Sequence, residues 1–392
     1  MKFGDILLPD GLIRGPFGSD MKKSLFVNDA IDNVKVITQE NVFSEDQNIG
    51  DYFITPDYFD KMKRFEVQSK DFLITCDGTL GKIAFIDNLS RKSVINSSLL
   101  IIRVNKNKVD YSFFYYYWKN YLGDAITKRN VNSCLKHLPS LDVIKNEIID
   151  IPNMEEQRKI GHFLSSLDSK IKINNEISNV LISKIKDGYS FYSRQYNVTP
   201  DNLRNDNFHS KESLEIKSLF SFEKGKEPSA DNVVSKGAIK YYRVRDIDGD
   251  SFSTICDNCE LTIAKYGDIV YSLDGTIGKI SYQVDGAISS GLYIVRPKLI
   301  DKNVFTYCVM SDESIIKKLQ YGSRSNTIIK HASSLLSDLC IEISINGSLY
   351  FSEIFNKAFL MCVALAKENI KIESQKMFYA SLMLCGVLRI SN

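Results

Sequence analysis

The sequence predicts an α+β protein of two tandem β-rich α/β domains, separated by two long helices that form an antiparallel coiled coil, in a pseudo-two-fold internal repeat. Three observations predict it. The heptapeptide DGTLGKI at Asp77–Ile83 returns as DGTIGKI at Asp274–Ile280, 197 residues later (274 − 77), about half of the 392-residue chain. A second pair, LKHLPSL at Leu135–Leu141 and IKHASSL at Ile329–Leu335, keeps nearly the same interval, as a duplicated unit with small loop insertions does. After each copy comes a long segment with apolar residues at helical spacing. The resulting divisions are 1–150 for the first β-rich domain, 151–195 for the first helix, 196–345 for the second domain and 346–392 for the second helix.

Each element has a local reason. VKVITQENV (Val34–Val42) and IKYYRVRDI (Ile239–Ile247) alternate apolar and polar residues as half-buried strands do. SKDFLITC (Ser69–Cys76) and KYGDIVYSL (Lys265–Leu273) are apolar strands running into Asp-Gly, and KIAFI from Lys82 and KISYQV from Lys279 are the strands that leave. The first long helix opens with Pro152 ahead of Asn153, an N-cap residue, and Glu156 completes a capping box. Glu155 and Glu156 suit the positive end of the helix dipole. Its apolar side is Ile160, Phe163, Leu164, Leu167, Ile171, Ile177, Leu181 and Ile185, and Gly188 is the expected stop. Such a helix is roughly 50 Å long. The second, from about Ser348 to Leu388, offers Ile354, Ala358, Met361, Leu365, Ile372, Phe378 and Leu382. Two stripes in one chain are most simply buried on each other, making the helices a spacer between the domains.

Composition narrows the class. Apolar residues at 44% and charged residues at 25% describe a soluble globular protein. A net charge of +2 gives no overall basic excess, so any nucleic-acid affinity must come from local clusters. The opening MKFGDILLPD is no signal peptide, and the eight scattered cysteines read as reduced thiols of a cytoplasmic protein. Cys256 and Cys259 form a lone CxxC without a second pair, which argues against a metal site. The apolar run Met377–Leu388 is too short to span a bilayer.

The glycine turns resemble a phosphate loop but fail its rule. A P-loop needs four residues between its glycines and a Ser or Thr after the lysine. Here two residues separate Gly78 from Gly81 and Gly275 from Gly278, and Ile83 or Ile280 follows the lysine. Two readings stay open: a strand connection whose glycines supply positive φ, and a loop whose backbone N–H groups, with Thr79, Lys82, Thr276 and Lys279, meet a nucleic-acid phosphate. Nothing supports catalysis. His137 and His331 sit in the repeated segments without a nucleophile motif and fit hydrogen bonding at a helix start or in the core; His162 and His209 stand alone. Among the basic clusters, TKRNVNS (Thr127–Ser133) and GSRSNTI (Gly322–Ile328) lie near the repeated KH segments. They offer Lys128, Arg129, Asn130, Asn132, Arg324, Ser325 and Asn326 to DNA, with Arg243 and Arg245 as further candidates. The aromatic block YSFFYYYW (Tyr111–Trp118) reads as buried core rather than a stacking platform.

IPNMEEQRKIGHFLSSLDSKIKINNEI (Ile151–Ile177), RGPFGSDM (Arg14–Met21) and the two glycine turns together resemble the specificity (S) subunits of type I restriction-modification systems, over essentially the whole chain. The resemblance implies two target recognition domains, each reading one half of a bipartite, asymmetric DNA site, with Arg14 and Ser19 joining the candidate contacts. It implies helices that set the gap and dock modification (methyltransferase) subunits through Glu156, Gln157, Ile160, Leu164, Leu167, Ile171, Leu181, Ile354, Met361 and Leu365. It implies a non-catalytic chain without its own cofactor. S-adenosylmethionine, ATP and Mg belong to the methyltransferase and restriction/translocase partners, and no membrane is involved. The second helix departs from the pattern, with Leu349, Tyr350 and Phe351 where the first has Glu155, Glu156 and Gln157. EKGKEPSA (Glu223–Ala230) replaces the GPFGSD segment.

Overall fold

In a computed structural model, the described residues are 1–128, 137–194, 211–229, 233–234, 239–247, 252–255, 260–322, 332–337 and 339–386. They divide into two compact units, Met1–Ser169 with Ile372–Asn392, and Lys170–Lys371.

In the first unit the strands are β1 (Leu7–Arg14), β2 (Val34–Ile37), β3 (Phe53–Ile54), β4 (Phe72–Thr75), β5 (Ile83–Phe85), β6 (Ser93–Ile95) and β7 (Leu99–Val104). The helices are α1 (Gln39–Phe43), α2 (Pro56–Met62), α3 (Tyr111–Tyr117), α4 (Gly123–Lys128), α5 (Leu141–Lys145) and the start of α6 (Met154–Tyr189). One sheet has the order β1-β7-β4-β5, and β2 pairs in parallel with β6 and antiparallel with β3. All of β4 is buried because its alternate side chains serve two cores: Phe72 and Ile74 point to one, Leu73 to the other. The aromatic block is core as expected, with Phe113, Phe114, Tyr117 and Trp118 almost wholly buried.

The second unit repeats this plan. Its strands are β8 (Glu212–Glu215), β9 (Phe220–Lys224), β10 (Val233–Val234), β11 (Ile239–Tyr242), β12 (Ser253–Ile255), β13 (Ile263–Ala264), β14 (Ile269–Ser272), β15 (Ile280–Ser281), β16 (Gly286–Ile288), β17 (Leu292–Pro297) and β18 (Cys340–Ile343). Its helices are α7 (Ile216–Leu219), α8 (Asn303–Met310), α9 (Glu313–Gly322) and α10 (Ile345–Leu384), of which Ile372 onward belongs to the first unit. The order β9-β17-β14-β15 matches β1-β7-β4-β5, and β11 pairs in parallel with β16 as β2 does with β6. β2 and β11 therefore hold equivalent places, as do β5 and β15 after the glycine turns. The turn after β2 and β11 is also the same: Asn41 Oδ1 accepts the Thr38 N–H at 2.8 Å, and Asp246 Oδ2 accepts the Arg243 N–H at 2.9 Å.

α6 is capped as the sequence predicts, with the Glu156 N–H donating to Asn153 Oδ1 at 3.0 Å. Its buried side keeps a strict seven-residue period: Ile160, Leu167, Asn174, Leu181 and Gly188, interleaved with Leu164, Ile171, Ser178 and Ile185. In the first unit Phe163 meets Tyr379 at 5.5 Å and Asp168 pairs with Lys376 at 2.6 Å. In the second unit Asn174 meets Asn369, Ser178 meets Cys362, and Gly188 meets Phe355. Partner numbers fall as α6 rises in each unit, so the pairing is antiparallel.

Three expectations about the helices need correction. Gly188 does not end α6. It lies inside the helix because the Phe355 ring packs there, 2.4 Å from where a Cβ would stand. Ile177 is exposed, and the polar Asn174 and Ser178 fill the middle of the buried side. On α10, Ile354, Met361 and Phe378 are 44%, 48% and 59% exposed; Phe351, Phe359, Cys362, Val363 and Ala366 are buried instead. α10 also carries a longer apolar stretch than Met377–Leu388. By length and composition one part of it could cross a membrane, and 33% of that part is buried within the protein.

Candidate nucleic-acid interface

The two glycine turns are one structure made twice. Thr75 Oγ1 donates to the Thr79 carbonyl at 2.5 Å and accepts the Lys82 N–H at 3.0 Å; the Gly81 N–H reaches the Thr75 carbonyl at 2.9 Å. Ser272 Oγ makes the same bonds to Thr276 at 2.5 Å and from Lys279 at 2.9 Å, and the Gly278 N–H reaches the Ser272 carbonyl at 3.1 Å. Sequence reasoning missed this buried hydroxyl, although a Thr or Ser two residues before each Asp-Gly was there to be read.

The expected positive φ angles are present: 66° and 76° at Gly78 and Gly81, 77° and 99° at Gly275 and Gly278. The glycines of a turn differ in purpose. A Cβ at Gly78 or Gly275 would meet nothing within 4 Å, so these serve conformation alone. At Gly81 it would lie 3.0 Å from Thr127 Cγ2, and at Gly278 2.7 Å from Ile316 Cγ2, so these also allow a helix to approach. That approach is bonded: Trp118 Nε1–H donates to the Gly81 carbonyl at 2.9 Å, and Gln320 Nε2–H to the Ile277 carbonyl at 3.0 Å. The outcome is an exposed tip, Gly78-Thr79 or Gly275-Thr276, held on a rigid base. Among the described residues the N–H groups of Gly78, Thr79 and Leu80, and of Gly275, Thr276 and Ile277, donate to no protein acceptor. Lys82 is exposed beside one tip and Lys279 half-buried beside the other.

Other segments gather round each tip. Gly15 and Gly225 are equivalent, their N–H groups donating to Leu99 and Leu292, both at 2.9 Å, and neither has room for a Cβ. EKGKEPSA is thus the structural counterpart of the RGPFGSD segment, with Lys224 in the place of Arg14. Lys224 Nζ lies 3.7 Å from Asp274. Burial pushes the Cys76 thiol up to about 12, the Arg14 charge pulling it down and Asp77 adding to the rise. Gln39 Nε2 donates to the Asp77 carbonyl at 2.7 Å. His137 is neither core nor helix start: its ring is half-exposed and bonds through Nδ1 to Asp77 Oδ1 at 2.6 Å, bracing the turn. The Leu138 N–H to Cys76 carbonyl bond recurs as Ala332 N–H to Leu273.

Among the remaining candidates, Arg243 and Arg245 line an open groove with Gly275, Asp274 and Glu227. Glu227, also unanticipated, accepts from Tyr241 Oη at 2.5 Å and from the Ser290 N–H at 3.0 Å. Burial opposes its charge, but these donors and Arg243 outweigh that and hold its carboxyl below the usual range. Ser19 is exposed, its hydroxyl on Asp20, and Lys128 is exposed at the end of α4, 3.4 Å from Asp124. Arg129, Asn130, Asn132, Arg324, Ser325 and Asn326 lie outside the described residues, as do His209, His331, Cys256 and Cys259. The five described cysteines are free thiols, and no cluster suited to a metal occurs among the described residues.

On the helices, Gln157 is 2% exposed: its Oε1 accepts the Asp110 N–H at 2.9 Å and its Nε2 donates to the Pro152 carbonyl at 2.9 Å. It fastens α6 to its own domain and presents nothing to a partner. Ile160 and Leu164 are likewise buried in the first unit's core, Leu167, Ile171, Leu181 and Leu365 are half-buried, and Glu156 is half-buried at the cap. Ile354 and Met361 are the members of the set that face outward.

The model of the type I restriction modification DNA specificity domain matches residues 21–182 and again 210–345, well over half of the chain. The chain belongs to this family. Each match covers most of one copy of the β-rich plan, so the chain carries this specificity domain twice. A type I restriction enzyme specificity subunit of Methanocaldococcus jannaschii is 27% identical over 176 residues, which is 44% of this chain and 37% of that relative's length. The S subunit of a type I restriction-modification system from M. genitalium aligns over 100% of this chain and 96% of its own, with a TM-score of 0.54 at 13% identity. That likeness is one of fold.

Proposed function

We propose that this chain is the DNA-reading subunit of a type I restriction-modification complex, each recognition domain binding one half of an asymmetric, two-part duplex site. The observation that carries the reading is the duplicated turn, with its hydroxyl-anchored base, three free N–H groups and adjacent lysine. Backbone N–H groups and Lys82 or Lys279 position a phosphate without reading sequence. The residues round each turn differ between copies, with Gln39 and Glu40 in one against Val244 and Arg245 in the other. A protein that reads two unlike half-sites needs such differences, since base edges are distinguished by their donors and acceptors.

In this reading α6 and α10 set the gap between the half-sites, and outward apolar residues such as Ile354 and Met361 dock modification subunits. The chain binds and directs in the cytoplasm. Adenine methylation with S-adenosylmethionine, and ATP- and Mg-dependent translocation and cleavage, belong to the partner subunits. Removing whole turns from the part of α6 between Ile160 and Ile185 shortens the gap in the methylated sequence; an unaltered gap refutes the spacer role.

The near-neutral net charge of +2 favours a second reading, a duplicated scaffold that binds no DNA. Duplex binding by the assembled complex, followed by fluorescence anisotropy across salt concentrations, separates the two. Counterion release at several phosphates gives a steep fall of log K with log salt. A complex whose duplex affinity does not respond to salt supports the scaffold.

A further inference from the structure

Between Ile160 and Ile185 the buried side of α6 is apolar except at its middle, where Asn174 and Ser178 lie. Asn174 is fully buried there, its Nδ2 donating to Asn369 Oδ1 and to Glu368 Oε2, both at 2.8 Å. Asn369 Nδ2 in turn donates to Asn175 Oδ1 at 2.8 Å. Asn174 Oδ1 is buried without a partner. The two asparagines are 195 residues apart in the sequence, one from each long helix.

This polar layer needs a reason, because an orphaned buried oxygen lowers stability and an apolar pair would fill the same place. A strict heptad provides one. Along α6 every seventh residue returns to the same face, so an antiparallel partner could shift by seven residues and still find apolar neighbours. A shift in either direction would set Asn369 against Leu167 or Leu181 and remove its bond with Asn174. Only one alignment pairs asparagine with asparagine.

We infer that the Asn174–Asn369 layer is a register lock, the feature that selects one alignment of α6 on α10. Resting on the proposed DNA-reading role, it makes Asn174 and Asn369 determinants of the gap length, and so of half of the site's definition, without touching DNA.

The test is the double substitution Asn174→Leu with Asn369→Leu in the full chain with its modification subunits. Genetically encoded spin labels at Lys184 and Lys371, both exposed, leave the native cysteines in place. Double electron–electron resonance gives one distance in the parent protein. In the double variant a second population is expected, displaced by about 10 Å, the rise of seven helical residues. A single unchanged distance overturns the lock. The double variant should also melt at or above the parent, while Asn174→Leu alone melts below it; a double variant that melts lower than the single, or does not fold, overturns the lock as well. Neither readout involves DNA. Methylome sequencing then separates the two claims: two gap lengths with both half-sites unchanged support both, and two spin-label distances without any methylated motif in the parent retain the lock and refute the DNA-reading role.

Discussion

Replacing Gly188 by alanine sets two effects against each other. Within an α-helix, alanine is favoured over glycine by about 1 kcal/mol. At this position the new methyl carbon would lie 2.4 Å from both Cε2 and Cζ of Phe355, far inside the 3.5–4.0 Å of a carbon–carbon contact. The ring cannot withdraw freely, because it stacks on Phe351 with centroids 5.1 Å apart, and Phe351 is fully buried. Overpacking of this kind costs about 1–3 kcal/mol, so the clash outweighs the propensity and Gly188→Ala destabilises by up to about 2 kcal/mol. Equilibrium denaturation of the parent, Gly188→Ala, Phe355→Ala and the double variant isolates the contact. In the Phe355→Ala background the ring is gone, and Gly188→Ala should become stabilising by about 1 kcal/mol. If Gly188→Ala stabilises the protein with Phe355 present, the close packing of α6 on α10 in the second unit is wrong.

Three further outcomes follow from the turns. Gly275→Ala and Gly278→Ala both force a side chain into left-handed backbone, at about 1–2 kcal/mol each, but Gly278→Ala also meets Ile316 Cγ2 at 2.7 Å; its thermal midpoint should fall further, and equal falls would contradict the geometry. Lys279→Ala should weaken duplex binding for all sequences, lower the slope of log K against log salt by about 0.9, and leave the methylated motif unchanged; a changed motif would make Lys279 a base reader. The Glu227 carboxyl is held below its ordinary value, so its contribution to stability is present above about pH 4.5 and is lost as pH falls through the lower folded value. The gap in denaturation midpoint between the parent and Glu227→Gln should therefore close in acid, and a gap that widens there would reverse the sign.

Duplication is what made the fold legible. Asp-Gly and the second glycine announce the turns because positive φ leaves a mark in residue type, and the repeat interval alone places equivalent strands. The capped start of α6 was equally plain, since a cap is a local contract between Asn153 and Glu156. What stayed hidden depended on partners remote in sequence. Gly188 looks like a stop until Phe355 is seen against it, and Gln157 looks like a surface residue until the Asp110 N–H is seen on it. The middle of the helix pair is hidden because Ile177 is apolar and Asn174 is not; only the strict heptad shows that the buried side passes through the asparagine. Around the turns, His137 and Gln39 act on Asp77 from 60 and 38 residues away, and Glu227 owes its role to Tyr241 and Ser290.

The most direct test of the central claim is an exchange. Residues 1–150 are replaced by the corresponding domain of another family member, the chimaera is expressed with its modification subunits, and the methylated sites are sequenced. Two separated recognition domains predict a two-part motif in which one half changes while the other half and the gap remain as before. A motif that is a single continuous palindrome, or an exchange that alters both halves together, would contradict the account.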